Sequence, residues 1–140
     1  MRAVAGRRPK PFVLEFTEFW WAAAAEGRLL IQRCVGCGEL RHPPAPACPH
    51  CRSFEWDAVE SAGRGVVHSH VVSHHPRAEG FDYPLVVLLV ELDEGTRLVA
   101  GCDIAPEDVA IGQRVRLDWV RDEDGTTLPF FRSDDEEGTS

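Results

Sequence analysis

The sequence has no hydrophobic segment long enough to cross a membrane. Its most hydrophobic run, Leu85 to Val90, contains six residues, whereas a membrane-spanning helix needs about 20. Basic residues are present among the first ten positions, but no apolar stretch of a secretory signal follows them. We therefore expect a cytoplasmic protein without a membrane partner. Thiols stay reduced there, so paired cysteines act as metal ligands or redox groups.

Lysine is almost absent, and positive charge is scarce in the second half of the chain. The chain contains one lysine, Lys10, and fourteen arginines, and its net charge is −8. Residues 1–57 contain eight basic and six acidic residues, whereas residues 58–140 contain seven basic and seventeen acidic residues. A groove for single-stranded nucleic acid needs basic residues along the phosphates. This charge distribution therefore disfavours nucleic-acid binding.

The sequence does contain two Cys-x-x-Cys pairs with ten residues between them. Two such turns can present four sulfurs to one tetrahedral ion at about 2.3 Å, and four thiolates leave no open position on the ion. A redox dithiol would explain one pair and leave the other without a role. We therefore predict one structural Zn²⁺ per chain, and no catalytic residue, with the ligands Cys34, Cys37, Cys48 and Cys51. Nearby His42 and His50 are expected to lie outside the ligand shell.

Residues 1–27 are predicted to form an N-terminal arm and an aromatic helix. The segment before Pro11 shows no helical or strand period and is expected to be flexible. Helix-forming residues then extend from Glu15 to Glu26, and Gly27 is placed to end the helix in a left-handed conformation. Aromatic side chains recur every three or four residues and form one stripe. This stripe is either core or a partner-binding surface. The candidates for partner binding are Phe16, Phe19, Trp20 and Trp21.

The remaining residues predict a mostly β fold. Residues 28–57 are predicted to form the zinc ribbon, with a first strand from Arg28 to Arg33. Residues 58–132 contain five strand-like runs and a short helical turn after the third, as in an OB-fold barrel. Residues 133–140 are acidic and predicted to be a disordered tail. The five runs are Val66 to Ser73, Tyr83 to Leu92, Thr96 to Cys102, Arg114 to Val120 and Thr126 to Phe131.

Two further features have both an ordinary and a functional interpretation. Histidines cluster at His68, His70, His74 and His75, where they would either line a solvated face of the barrel or bind a second metal. Cys102 ends a predicted strand and is either a small buried residue or a nucleophile. No neighbouring His-Asp arrangement supports the nucleophile.

Several motifs occur in an order that resembles a known family. They are Phe19-Trp20, Gly27-Arg28-Leu29, Gln32-Arg33-Cys34-x-x-Cys37-Gly38, Cys48-Pro49-x-Cys51, Gly63-Arg64-Gly65-Val66-Val67, Val90-Glu91-Leu92-Asp93-Glu94-Gly95 and Pro106-Glu107-Asp108-Val109-x-Ile111-Gly112. Together they resemble the acyl-CoA-associated OB-fold proteins with a rubredoxin-like zinc ribbon, long catalogued as a domain of unknown function. The resemblance extends from Pro11 to Arg132.

The resemblance implies an N-terminal helix, a zinc ribbon with the four cysteines as ligands, and an OB-fold barrel without a catalytic residue. Family members look like companions of thiolase-fold, lipid-transfer-type proteins, and some are fused to hotdog-fold enoyl-CoA hydratases. In steroid side-chain degradation such a pair resembles an aldolase that cleaves a hydroxyacyl-CoA. We therefore expect a non-catalytic accessory subunit that helps to form an acyl-CoA site.

Arginine can bind phosphate through two parallel hydrogen bonds. On charge alone, the candidates for the CoA phosphates are Arg28, Arg33, Arg41 and Arg64. Zinc ribbons and OB barrels also occur together in proteins that bind nucleic acid. The alternative interpretation is therefore a module that binds single-stranded nucleic acid.

Overall fold

The chain forms two β-sheets and a helix that packs between them. The structure, a computed structural model, describes residues 2–78 and 80–134. The elements in chain order are β1 (Arg2–Ala3), α1 (Glu18–Ala25), β2 (Leu30–Cys34), β3 (Leu40–Arg41), β4 (Trp56–Glu60), β5 (Arg64–Ser73), β6 (Leu85–Leu92), β7 (Arg97–Cys102), β8 (Arg114–Arg121) and β9 (Thr127–Ser133). None of the described helical residues forms a segment long and apolar enough to span a bilayer.

The first sheet is the ribbon, with strand order β3-β2-β4. Strand β2 lies in the middle and pairs antiparallel with both neighbours, so that Cys34 is opposite Trp56. Its Ile31 and Gln32 are both fully buried. Strand β4 continues to Glu60, three residues past the position where the sequence suggested that the ribbon ends. The ribbon sheet therefore extends directly towards the second sheet.

The second sheet is the barrel, with strand order β1-β8-β5-β6-β7-β9 and closure through β8 and β9. Alternate residues of β6 point inward and are fully or nearly fully buried, as a half-buried strand requires. The five strands predicted from the sequence are β5 to β9, so the prediction of a mostly β fold with a ribbon and a five-stranded barrel is confirmed. Leu29 and Ile31 from the ribbon, Trp20 from α1 and the inward side chains of the barrel form one hydrophobic core.

Helix α1 begins at Glu18, three residues later than predicted. The hydroxyl of Thr17 accepts a hydrogen bond from the backbone N–H of Leu14 at 2.8 Å, which stabilises a turn over the residues expected to be helical. The C-terminus agrees with the prediction. Gly27 has φ +75°, and the N–H of Arg28 donates to the carbonyl of Ala23 at 2.9 Å, as in a Schellman motif.

The N-terminal arm is attached to the barrel, which corrects the expectation of a flexible segment. Strand β1 pairs in parallel with β8, with Arg2 opposite Val120. Further along, the N–H of Gly6 donates to Glu123 Oε2 at 2.7 Å, and the N–H of Arg8 donates to Asp122 Oδ2 at 2.8 Å. The carboxylates of the β8–β9 turn therefore hold the arm in place.

The predicted tail also begins too early. Ser133 is the last residue of β9. Asp134 is buried, and its N–H donates to the carbonyl of Arg114 at 3.0 Å. The remainder of the predicted tail, residues 135–140, lies outside the described residues.

Candidate metal centre and neighbouring surfaces

The two cysteine pairs occupy two turns of the same geometry. In the first, the N–H of Gly38 donates to the carbonyl of Cys34 at 2.9 Å; in the second, the N–H of Arg52 donates to the carbonyl of Cys48 at 2.8 Å. The first turn follows β2, so the central strand of the ribbon positions Cys34. The two turns face each other and bring all four sulfurs together.

The sulfurs fit one tetrahedral metal ion. All four lie within 4.8 Å of one another, with Cys34 Sγ 3.5 Å from Cys51 Sγ and Cys37 Sγ 3.7 Å from Cys48 Sγ. A tetrahedral ion with metal–sulfur bonds of about 2.3 Å places its ligands about 3.8 Å apart. The described residues supply four thiols and therefore a complete shell.

Backbone amides prepare this site for thiolates. The N–H of Cys37 directed at Cys34 is the main cause that lowers the pKa of Cys34 to about 6. The pKa of Cys48 is lowered in the same way, chiefly by the N–H of Cys51. Because metals bind the thiolate, these hydrogen bonds favour the ligand form of Cys34 and Cys48. The pKa values of Cys37 and Cys51 are raised, because burial and the neighbouring cysteine side chains outweigh the backbone hydrogen bonds that they accept.

A proline-rich loop between the two turns is held by the buried Gln32. Its amide Nε2 donates to the carbonyl of Ala45 at 2.9 Å, and its Oε1 accepts from the N–H of Ala45 at 2.8 Å. His42 in the same loop lies outside the four-sulfur group, and its ring centroid is 5.7 Å from that of Trp20. Burial lowers the pKa of His42 to about 4. His50 is exposed.

The predicted partner-binding stripe is divided between core and surface. Trp20 is buried at the centre of the core, and Phe19 and Trp21 are half-buried against it. Phe16 is also half-buried. Upstream of them, Phe12 is 84% exposed. Trp20 has little surface left for a partner, so the prediction now rests on Phe16, Phe19 and Trp21.

The four arginines suggested for CoA have four different partners. Arg28 donates to Glu60, and Arg33 binds both carboxylate oxygens of Asp57 at 2.8 and 2.7 Å. Arg41 is buried and donates to the carbonyl of Ala45. Arg64 lies 3.8 Å from the Asp134 carboxylate. A CoA phosphate would have to compete with the carboxylates at Arg28, Arg33 and Arg64, and Arg41 is buried away from solvent with Nε and Nη1 unpartnered among the described residues. The prediction of CoA contacts therefore gains no support from the geometry.

The histidine cluster does not form a metal site within the described residues, where the four cysteines are the group with metal-binding geometry. A bulge at His68 shifts the register of β5 between Val67 and Ser69. It interrupts the two-residue alternation that would place the side chains of His68 and His70 on the same face of the strand. Cys102 is half-buried at the end of β7, and burial is the main cause that raises the pKa of its thiol. A raised thiol pKa favours the ordinary interpretation of Cys102 over a nucleophile.

Comparisons with known proteins agree with this architecture. Residues 21–57 match the family model described as "ChsH2, rubredoxin-like zinc ribbon domain", and residues 58–120 match "ChsH2, C-terminal OB-fold domain". A DUF35 domain-containing scaffold protein of Pyrococcus furiosus is 30% identical over 126 residues, which cover 85% of this chain and 91% of that protein. The chain belongs to the DUF35 family.

A solved DUF35 chain has the same fold. It comes from the Ltp2-ChsH2(DUF35) aldolase, is 52% identical, and superposes with a TM-score of 0.84 over 89% of this chain and 98% of that chain.

Two curated relatives are longer than this DUF35 chain. A probable enoyl-CoA hydratase alpha subunit of Thermomonospora curvata is 53% identical over 126 residues, which are 89% of this chain and 40% of that protein. The 3-oxo-4,17-pregnadiene-20-carboxyl-CoA hydratase alpha subunit of Mycobacterium tuberculosis is 43% identical over 107 residues, 74% of this chain and 33% of that protein. The chain therefore spans less than half the length of these two relatives.

Three structural features of this DUF35 chain were not identified from the sequence. These are the left-handed residue Arg52, the loop-binding side chain of Gln32 and the contact between Arg8 and Asp122. The first had a signal, since Arg52 follows Cys51 as Gly38 follows Cys37. The other two join residues distant along the chain and carry no local pattern.

Proposed function

We propose that this chain is a non-catalytic accessory subunit that binds a thiolase-fold, lipid-transfer-type partner and helps to form an acyl-CoA site. The observation that carries the proposal is the match to nearly the whole DUF35 chain of the Ltp2-ChsH2(DUF35) aldolase. The scaffold protein of Pyrococcus furiosus supports a role without catalysis. The proposal places the chain in the cytoplasm, where its free cysteines stay reduced.

The proposed reaction is the retro-aldol cleavage of a steroid or other hydroxyacyl-CoA. A base removes the proton of the β-hydroxyl, the oxygen forms a carbonyl, and the Cα–Cβ bond breaks. The bonding electrons move to Cα as a thioester enolate, which then takes up a proton. We assign these proton transfers to the partner. The steroid class rests on the printed name of the Mycobacterium tuberculosis relative.

We propose Zn²⁺ as the ion held by the four cysteines, in a structural role. Four thiolates fill a tetrahedral shell, so a metal bound there has no position for a substrate. The ion would fix the two turns on the ribbon, and the ribbon shares its core with α1 and the barrel. Zinc would thus keep α1 and the exposed residues that precede it in a fixed position for the partner.

The proposed docking surface lies in the segment that precedes α1. Phe12 is 84% exposed, and Val13 and Leu14 beside it are also exposed, so these side chains form a short apolar segment next to the half-buried Phe16. Adjacent exposed apolar residues are typical of protein interfaces. Trp21 lines a cleft with Leu98 and Leu128 of the barrel, and we include that cleft in the proposed surface.

Co-expression with a thiolase-fold protein encoded beside this gene tests the proposal. We expect a complex on size-exclusion chromatography, and hydroxyacyl-CoA cleavage by the complex but not by this chain alone. Phe12→Ser should weaken the complex at least tenfold, because it removes a large exposed aromatic contact. Ile111→Ser is the matched control, since Ile111 is 71% exposed and lies in the loop before β8. Absence of a complex with the unmodified chain would count decisively against the proposal.

A hotdog-fold enoyl-CoA hydratase is the second candidate partner. Two longer relatives named as hydratase alpha subunits contain a segment similar to this chain. Co-expression with a hydratase-like neighbour distinguishes the candidates, because a complex that forms there and not with the thiolase-fold protein would favour the second.

Nucleic-acid binding is the remaining alternative, and the net charge of −8 disfavours it. A mobility-shift assay with a single-stranded oligonucleotide at low salt would reveal it, since phosphate contacts are strongest there.

A further inference from the structure

A cleft of about 650 Å³ lies on the barrel, and none of the four paired cysteines lines it. Its walls come from the N-terminal arm, the loop before β6 and the segment after β7, and β6, β7 and β9 form its floor. Small-molecule sites commonly have volumes of about 300–1,000 Å³. The cleft is therefore large enough for a small ligand.

The floor of the cleft is apolar, although it is the outer face of the sheet. Val87 of β6 is opposite Gly101 of β7, and both line the cleft together with Leu85 and Val99. The alternate residues Val86 and Ala100 are the buried ones. An antiparallel sheet with one face in water usually carries polar residues on that face. Here β6 is apolar on both faces, which is suitable for an apolar ligand that binds against the outer face.

Two arginines line the cleft, and the guanidinium group of each packs over an aromatic ring. The guanidinium of Arg2 is 5.4 Å from the centroid of Phe130, and that of Arg8 is 4.6 Å from the centroid of Phe81. Arg2 lies 3.7 Å from Asp103, which also pairs with Arg132. The charge of Arg2 is thus already shared with a carboxylate.

Arg8 is less well neutralised. Its Nε donates to the carbonyl of Gly80 at 3.1 Å. Among the described residues no carboxylate lies within 4.0 Å of its guanidinium nitrogens. Burial lowers the pKa of Arg8, and Asp122 and Asp82 raise it by less. Asp82 and Asp103 also line the cleft, and of these Asp103 pairs with Arg2 and Arg132. Its terminal nitrogens therefore keep hydrogen-bond donors available beside an apolar floor.

We propose that this cleft binds a small amphipathic anion, with an apolar body on the floor and a carboxylate or phosphate that accepts hydrogen bonds from Arg8. The charge of Arg8 and the apolar floor together select this class, because the first favours an anion and the second favours a hydrocarbon. The inference goes beyond the accessory role and does not depend on a thiolase-fold partner.

Isothermal titration of the full, zinc-loaded chain tests the site with three probes that share one apolar body: decanoate, decyl phosphate and decanol. We expect both anions to bind more tightly than decanol, and the tighter anion identifies the preferred head group. Arg8→Met should weaken anion binding roughly tenfold, since it removes charged hydrogen bonds, and should weaken decanol binding much less. Arg77→Met is the matched control, because Arg77 lies over the ring of Tyr83 at 5.5 Å outside the cleft lining.

A second variant tests the floor without touching Arg8. A Cβ at Gly101 would approach only the carbonyl oxygen of Val86, at 3.9 Å. Gly101→Phe should therefore fold and fill the cleft, and it should abolish binding of decanoate and decanol alike. Zinc content and thermal unfolding confirm that each variant is folded.

Three results would overturn the proposal: no binding of either anion, equal losses in Arg8→Met and Arg77→Met, or equal affinities for decanoate and decanol. A protein interface is the competing explanation. If a thiolase-fold partner displaced decanoate and Val99→Asp prevented the complex, the cleft would be a docking surface and the small-ligand proposal would be wrong.

Discussion

Arg52 occupies the same position in the second cysteine turn that Gly38 occupies in the first. Both residues follow the second cysteine of a pair, and both have a left-handed backbone, with φ +66° for Arg52 and φ +80° for Gly38. A left-handed conformation costs a non-glycine residue about 1–2 kcal/mol. The second turn is therefore strained where the first is relaxed.

Arg52→Gly should stabilise the protein by about 0.5–1 kcal/mol. The variant removes the left-handed strain, and part of that gain is offset by the greater freedom of glycine in the unfolded chain. Thermal or urea unfolding of the zinc-loaded protein measures the change. Gly38→Ala is the reciprocal variant and should destabilise the protein by about 1 kcal/mol. A Cβ at Gly38 would have no neighbour within 4 Å, so a steric clash does not contribute to this loss of stability. A stability loss in Arg52→Gly would contradict the prediction.

Gly65→Ala should destabilise the barrel by roughly 2–3 kcal/mol, because overpacking in a tight core has this cost. Gly65 lies in β5 between Leu92 of β6 and Val115 of β8. A Cβ there would overlap the carbonyl oxygen of Glu91 and come within 2.9 Å of Val90 Cγ1. Urea unfolding with tryptophan fluorescence measures the loss.

Gly101→Ala is the matched control for this variant. Gly101 is also a strand residue, and the nearest atom to a Cβ there would be 3.9 Å away. Its stability should stay within about 0.5 kcal/mol of the parent. Similar losses in the two alanine variants would show that close backbone approach at Gly65 is not the cause.

Local patterns predicted much of the fold. The two Cys-x-x-Cys pairs, the alternation along β6 and the Gly27 C-cap each lie within a few neighbouring residues, and the structure has all three. The start of α1 was predicted wrongly because the Thr17 hydroxyl favours a turn over a further helical turn. Helix propensity along the chain gives no indication of this competition.

Contacts between distant parts of the sequence could not be predicted. Arg8 and Asp122 are separated by 114 residues, and β1 has two residues, too few for a strand pattern. The arm therefore looked unattached. For the same reason the sequence suggested four arginines for CoA by charge alone, and could not show that Arg33 is already bound by Asp57.

Stability should fall as the pH decreases from 7.5 to 5. The folded-state pKa of His42 is about 4, below the value of about 6.5 in an unfolded chain. His42 therefore remains neutral in the folded chain while the unfolded chain takes up a proton. The contribution of neutral His42 to the free energy of unfolding is fully present above pH 6.5 and is lost as the pH falls towards 4. The expected loss by pH 5 is about 2 kcal/mol.

His42→Phe tests this assignment because phenylalanine keeps an aromatic ring against Trp20 and cannot be protonated. The free energy of unfolding should then change much less between pH 7.5 and 5. Metal content is measured at each pH, so that loss of the ion is not mistaken for protonation. An unchanged pH dependence in the variant would assign the effect to another group.

Metal removal should unfold the ribbon before the barrel. We expect one Zn²⁺ per chain by elemental analysis. After chelation, hydrogen exchange should accelerate in β2, β3 and β4 while β6 remains protected, and the proposed complex should be lost. Cys48→Ser should lose the ion, whereas Cys102→Ser should keep it. More than one tightly bound ion would point to a second metal site.

The short connection between β4 and β5 has a consequence for how this architecture can be divided. Three residues, Ser61 to Gly63, separate the two strands, and the Ser61 hydroxyl donates to Glu94 at 2.7 Å while the N–H of Leu117 donates to the carbonyl of Gly63. A cut between Asp57 and Ala58, where the two family models meet, would pass through the middle of β4. The ribbon half would lose part of its edge strand β4, and the barrel half would lose its edge strand β1, which lies at Arg2–Ala3. Recombination during evolution should therefore move the ribbon and the barrel together, as a single heritable unit.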